Sequence, residues 1–432
     1  MLDDLFEFLQ GAVTPYHAAA IAAAWLDAAG YTRLEEADYW NLEAGKGYYI
    51  TRNGSSVIAW RVPEHAIGGW RIAASHSDSP CWKIKNEKVE NDGCSRLSVE
   101  GYGGMIMSTW LDRPLTVAGR VMVKTEDGIE SRLVNFDEDL LVIPSLAIHM
   151  QRNVNKGKEF NPQIDMQPLW GPAGCRTLTD VLCEELNVQP EDILDRDLQL
   201  VTRQQPTRIG PDGEYFLAPR IDDLECAATT LLAFLDAAPD CDSACAPVWA
   251  MFDNEEVGSS SRMGAESSYL RDVLDRIIDS IPHGAQAKQQ AMANSYMLSA
   301  DNAHAAHPNF PQKADPCAPV HMGEGVVLKY NASQKYTTNA VSGAIFKEIC
   351  RKAGVPVQVF TNRADEPGGS TLGNLQSHTL PIPMADIGLA QLAMHSAVET
   401  AAVADADHMI NAVAEFYRVH LRALGDGTYT LE

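Results

Sequence analysis

Short apolar runs that end in turn-forming or acidic residues recur along this chain, alternating with longer stretches of helical spacing. A helix is expected over Ala18–Ala29, and strands over Tyr48–Thr51, Ser56–Val62 and Trp70–Ser75. From about residue 223 onward, helical spacing covers Leu224–Ala238, Glu266–Ile281, Ala340–Ala353 and Ala397–Leu421. Val248–Phe252, Val326–Tyr330 and Val355–Phe360 are short, mostly apolar runs suited to buried strands. This alternation predicts an α/β fold with a mixed, largely parallel sheet flanked by helices. The texture changes over 86–215. There Val117–Val123 and Arg132–Phe136 alternate in strand fashion around a Glu126-Asp127-Gly128 turn, and one helical stretch, Leu178–Leu186, is embedded.

Composition narrows the class. With 432 residues, 45% of them hydrophobic, the chain can bury one large core or two moderate ones. Acidic residues outnumber basic ones 58 to 34, a net charge of −24, which argues against nucleic acid or an anionic membrane as partner. The nine cysteines are scattered without a C-x-x-C pair, as expected of reduced thiols. The start, Met1–Glu7, is acidic and lacks the features of a signal peptide, and no apolar run nears the ~18 residues of a membrane span. The expectation is a cytoplasmic protein.

Chemistry concentrates at the ends of the apolar runs. Phe252-Asp-Asn-Glu-Glu-Val-Gly258 sets two adjacent carboxylates, Glu255 and Glu256, at the mouth of an expected strand. Each ionised carboxylate loses hydration there, and a metal ion would offset that loss, one acid binding it and the other standing beside it as a base. His76 and Asp78 follow Ile72-Ala73-Ala74, an H-x-D pair in which the acid can take the second ring N–H of a metal-bound imidazole. Asp222 precedes an expected helix, Asp301 follows another apolar run, and His395 lies in Met394-His395-Ser396. These scattered His, Asp and Glu positions fit a dinuclear site at one edge of an α/β sheet. Because they lie on both sides of 86–215, that block reads as a β-rich domain inserted into a catalytic domain of 1–85 plus 216–432.

The segments SHSDSP (75–80), RIDD (220–223), FDNEEVGS (252–259), SADNAHAAHPN (299–309), RADEPGGST (363–371) and MHS (394–396) together make the chain similar to the aspartyl aminopeptidase family. These are dinuclear zinc exopeptidases of the co-catalytic metallopeptidase clan. The resemblance implies two Zn²⁺ per subunit, with Co²⁺ or Mn²⁺ as substitutes. Asp222 would bridge them, His76 and Asp301 would complete one site, and Glu256 and His395 the other. Glu255 would be the general base toward the attacking water, and Asp78 would hold the His76 ring. In LAIHMQR (146–152), His149 would reach a neighbouring subunit's active site and stabilise the tetrahedral intermediate. Lys329 would pair with an acidic substrate side chain, and Tyr336 would line the same pocket.

The implied function is removal of an N-terminal Asp or Glu from short peptides, inside a tetrahedral dodecamer built by self-association. A preference for neutral residues, a dinuclear deacylase that is not a peptidase, and a noncatalytic scaffold are the alternatives; Glu255 argues against the last. Two departures stand out. Glu366–Thr371 lacks a cysteine common in the family, and Asp223 stands where asparagine is usual, either adding charge near the metals or capping a helix. His304 and His307 form an H-x-x-H pair, but Asp301 is the better-matched ligand.

Overall fold

The computed structural model describes residues 1–91, 93–241 and 245–432, with the side chains of 87–91 left aside. It divides into two compact units, one of Met1–Asp78, Pro206–Met394 and Glu399–Glu432, the other of Ser79–Gln205 with His395–Val398.

The first unit is built on a nine-stranded mixed sheet among the described residues. Its spatial order is Thr32–Arg33, Gly47–Arg52, Ser56–Arg61, Cys245–Phe252, Gly69–His76, Tyr296–Ala300, Met384–Gly388, Val326–Tyr330 and Val357–Thr361. Five of the eight neighbouring pairs are parallel, including the three that join Cys245–Phe252, Gly69–His76, Tyr296–Ala300 and Met384–Gly388. The α/β expectation therefore holds, with a mixed sheet dominated by parallel pairs.

The continuous apolar runs have a direct cause: both faces of these strands are covered. Along Gly69–His76, Ile72 and Ala74 enter one core while Ala73 enters another. Along Cys245–Phe252, Trp249 and Met251 join the second of these, and Val248, Ala250 and Phe252 the first. One layer is supplied by helices Leu2–Gly11, Pro15–Ala28, Ile221–Ala237, Ala340–Ala353 and Val403–Arg418, the other mainly by Tyr269–Asp279. Ala340–Ala353 keeps its expected bounds because both ends are coded. The Asn339 side chain accepts the Val341 and Ser342 amides, and Gly354 adopts a left-handed φ of 68°.

One expected element is corrected. Ala397–Leu421 is not a single helix: Glu399–Ala402 is a strand paired antiparallel with Tyr215–Ala218, the helix is Val403–Arg418, and Leu421–Gly425 is again extended. An alanine-rich run satisfies either period, and pairing with Tyr215–Ala218 decides it. The helix expected from Glu266 also starts later, at Tyr269, and ends at Asp279.

The second unit holds a six-stranded antiparallel sheet in the order Gly128–Asn135, Leu115–Thr125, Ile193–Thr202, Cys81–Asn91, Cys94–Tyr102 and Leu169–Pro172. It has its own core, including Trp82, Val99, Val117, Val121 and Leu198. Helix Leu178–Leu186 is closed by a reciprocal Thr177–Asp180 cap. Among the described residues no helix is long and apolar enough to cross a membrane, and no disulfide is formed.

Candidate metal centre

Three neighbouring parallel strands of the first unit finish at the same edge. Phe252 is in register with His76, and Ala74 with Ser299, so Glu255–Glu256, His76 and Asp301 all emerge just beyond their carboxyl ends. That edge is where open α/β sheets bind ligands. Asp222 comes from another direction, at the start of Ile221–Ala237. The chain turns into that helix through Arg220, whose φ is 59° and whose guanidinium donates to the Ala12 and Leu9 carbonyls at 3.1 and 3.2 Å. These are the carbonyls that end the first helix, a natural cation site. Gly388 matters for a different reason: a Cβ there would collide with the Asp301 carbonyl, so only glycine lets the adjacent strand pass this close.

His76, Asp222, Asp223 and Asp301 are all buried, and each offers one ligand atom within 4.8 Å of the others. Asp222 and Glu256 likewise offer carboxylate oxygens within 4.8 Å of each other. The His76 Nδ1 lies 3.0 Å from the Asp78 carbonyl oxygen, which can only accept, so Nδ1 carries a proton. Nε2 then faces Asp222 Oδ1 at 3.6 Å. Burial disfavours charge on this ring, yet Asp223, Asp78 and Glu255 outweigh it and raise the imidazole well above its ordinary value.

The carboxylates are perturbed as well. Burial, then neighbouring negative charge, raises Asp223 and Asp301 above the usual carboxylate range, while His76 opposes both shifts and Lys329 opposes that of Asp301. Asp223 is fully buried, and a hydrogen bond with the Cys226 thiol opposes its upward shift only in part. A cluster of three buried carboxylates and one imidazole, too much negative charge to bury uncompensated, fits a zinc-type cation.

A set of carboxylates also fastens the segments that carry these groups. Asp78, fully buried, accepts the Glu255 and Glu256 amides through Oδ1 and Oδ2, each at 3.1 Å. Its carboxylate thus holds the turn bearing both glutamates and lies 3.4 Å from the His76 ring, whose shorter contact is to its main-chain oxygen. Asp223 Oδ2 accepts the His76 amide at 3.0 Å, and Glu399 accepts the Asp222 amide at 3.0 Å. Asn302 gives its side-chain N–H groups to Glu225 and Gln391 at 2.9 and 2.8 Å. Asp223, Glu399 and Glu225 were not among the expected site residues. The helix's opening Asp-Asp-Leu-Glu, three acids in a segment buried on every side, was the available signal. Asp223 does not cap that helix; its carboxylate serves the His76 strand.

Glu255 is half-buried beside this group, and burial, ahead of repulsion by Asp301, Asp78 and Asp222, pushes it up to about 8. Lys329 is only 2% exposed. Its ammonium donates to the Asn302 carbonyl at 3.0 Å, lies 3.8 Å from Asp301 Oδ2, and sits 5.4 Å from the centre of the buried Tyr336 ring. His304 is exposed, and the His307 Nδ1 accepts the Asn309 amide; neither joins the cluster. His395 and His149 belong to the second unit. There His395 donates Nδ1–H to the Gly104 carbonyl at 2.6 Å, which leaves Nε2 as its acceptor nitrogen, and His149 lies exposed in a turn.

Comparison with known proteins gives one answer. A family model described as aminopeptidase I zinc metalloprotease (M18) matches residues 8–417. The "Probable M18 family aminopeptidase 2" of Clostridium novyi (strain NT) is 39% identical over 428 residues, covering 96% of this chain and 98% of that protein. A chain from a cryo-EM structure of an Ape4 and Nbr1 complex superposes with a TM-score of 0.93 at 32% identity, covering 96% of this chain and 85% of that one. The S. cerevisiae mApe1 dodecamer superposes with a TM-score of 0.84 at 25% identity, covering 96% of each chain. The chain belongs to the M18 family of zinc metalloproteases, the aminopeptidases.

Proposed function

We propose that this zinc aminopeptidase is dinuclear and removes one N-terminal residue, Asp or Glu by preference, from short peptides in the cytoplasm. Asp222, His76 and Asp301 would hold one cation, and Asp222, Glu256 and His395 the other. The observation that carries the reading is the convergence of His76, Asp222 and Asp301 at one sheet edge, with Glu255 and Glu256 on a turn held by Asp78. When bound, two such cations polarise the scissile carbonyl and lower the pKa of water.

The chain's own residues do the rest. Glu255 takes a proton from the attacking water and returns it to the departing amine, base first and acid second. Asp78 fixes the Glu255 main chain, so the base is aimed rather than searching. His149, on its exposed turn, is free to serve a second copy of this chain, where it would stabilise the tetrahedral intermediate. Self-association into a tetrahedral dodecamer is part of the proposal; it draws on the likeness to a protein described as a dodecamer.

Acidic preference rests on Lys329 and Tyr336. A second reading, preference for neutral residues, is favoured by one feature: the Lys329 ammonium is already engaged by the Asn302 carbonyl and neighbours Asp301. The deciding experiment compares Asp-, Glu- and Leu-headed peptides and their N-acetylated forms, with and without chelator, beside Glu255→Gln. Chelator-sensitive release from free Asp or Glu peptides, absent from the acetylated ones, is expected. Release from Leu peptides alone transfers the case to the neutral reading, and hydrolysis of only the acetyl group would make the protein a deacylase.

A further inference from the structure

The two edges of the six-stranded sheet in the second unit are built differently. One edge, Leu169–Pro172, is four residues long and carries a proline, two features that discourage further strand pairing. The other, Gly128–Asn135, is eight residues long, contains no proline and pairs with Leu115–Thr125 alone, in a register without a bulge. Ile129, Ser131 and Leu133 share one face of this strand, where Ile129 is 68% exposed and Leu133 39%. Glu130 and Arg132 share the other, and the guanidinium donates to Glu130 Oε2 at 2.9 and 2.8 Å. Large apolar side chains in water on a long, regular edge mark a strand that another chain completes.

The residues of the strand also name that chain. Two copies laid antiparallel, with Ser131 opposite itself, set Glu130 against Arg132 and Ile129 against Leu133, each pair occurring twice by symmetry. A slide of two residues either way sets Glu130 against Glu130 or Arg132 against Arg132. A slide of one sets a charged residue against Ile129 or Leu133. The charge pattern therefore selects one register and one partner.

We propose that Gly128–Asn135 is a two-fold interface with a second copy of this chain, the strands pairing antiparallel about Ser131 and joining two six-stranded sheets into one. The inference deepens the self-association proposed above and rests on it. Each Glu130–Arg132 pair then meets its symmetry mate in a ring of alternating charges, and the four apolar side chains cover one another on the opposite face.

Cysteine cross-linking in the full chain tests the register. Residues directly opposed in an antiparallel pair have Cα atoms about 4.5–5.5 Å apart, within disulfide reach. Ser131→Cys treated with oxidised glutathione should give a covalent dimer on a non-reducing gel, well above the background that the nine native cysteines give in wild type. Ile129→Cys should not, because its two copies would stand about 14 Å apart along the strands. Charge reversal adds a second measurement, by sedimentation: Glu130→Arg should weaken the association about tenfold, and Glu130→Arg with Arg132→Glu should restore it to within about threefold. Equal cross-linking of Ser131→Cys and Ile129→Cys would overturn the interface, as would background levels in both while wild type sediments as an oligomer. A wild type that sediments as a monomer would instead defeat the self-association reading itself.

Discussion

Replacing Glu225 by glutamine should stabilise this protein, and by an amount that depends on pH. Glu225 is fully buried on helix Ile221–Ala237; one oxygen accepts the Asn302 amide and the other has no hydrogen-bond partner. Burial, with a smaller push from Asp405 and Glu399 and against the Asn302 bond, raises it from the ordinary 4.5 to about 8. None of these neighbours is a proposed ligand. Glutamine keeps an acceptor for Asn302 and cannot ionise. Below about pH 4.5 the carboxyl is protonated folded or unfolded, and the two proteins should unfold alike. Between about 4.5 and 8 the folded wild type holds a proton that the unfolded chain has released, so its stability falls as pH rises. Above about 8 the full difference applies, with a ceiling of about 5 kcal/mol; water penetration reduces this to about 2–4 kcal/mol. Scanning calorimetry at one fixed rate on the zinc-loaded proteins is the assay, because a chain of two units need not unfold reversibly. The midpoints should nearly coincide around pH 5, and the variant should be several degrees higher around pH 9. A gap that ignores pH, or a variant less stable around pH 9, would refute the reasoning.

Other consequences are more local. Glu255→Gln should lower kcat by about 10²–10⁴-fold with zinc content unchanged, measured by metal analysis beside peptide hydrolysis. Asp78→Ala removes the acceptor of the Glu255 and Glu256 amides and should cost about 2–4 kcal/mol in denaturant unfolding as well as kcat, while Asp78→Asn should retain part of both. Glu399→Ala should loosen zinc by about 10–100-fold in chelator competition, since it frees the Asp222 amide, and Glu399→Gln should restore most of it. Chelation of the wild type should lower its melting temperature more around pH 8 than around pH 5, because the buried carboxylates repel one another once ionised and uncompensated.

What was legible in the sequence follows from physics. Val326–Tyr330 and Ala340–Ala353 were read with the bounds they adopt, because a strand buried on both faces is mostly apolar, Lys329 being the exception here, and a capped helix announces its ends. Ala397–Leu421 misled because alanine accepts either period, and the partner that makes Glu399–Ala402 a strand lies at Tyr215–Ala218. The same limit applied at the metal centre. His76, Asp222 and Asp301 were visible as residue types ending apolar runs. The roles of Asp223, Asp78 and Glu399 were not, because each carboxylate serves a main-chain amide 147 to 177 residues away, and spacing carries no trace of such a bond.

The central claim is a pair of catalytic cations, and a zinc titration tests it most directly. Metal-free protein receives zinc in steps while release of the N-terminal residue is followed, with bound zinc counted at each step. Activity that reaches its maximum at two zinc per chain, and stays absent in Glu255→Gln carrying the same two, is the expected result. Full activity at one zinc per chain, or activity that survives without any, would contradict the account.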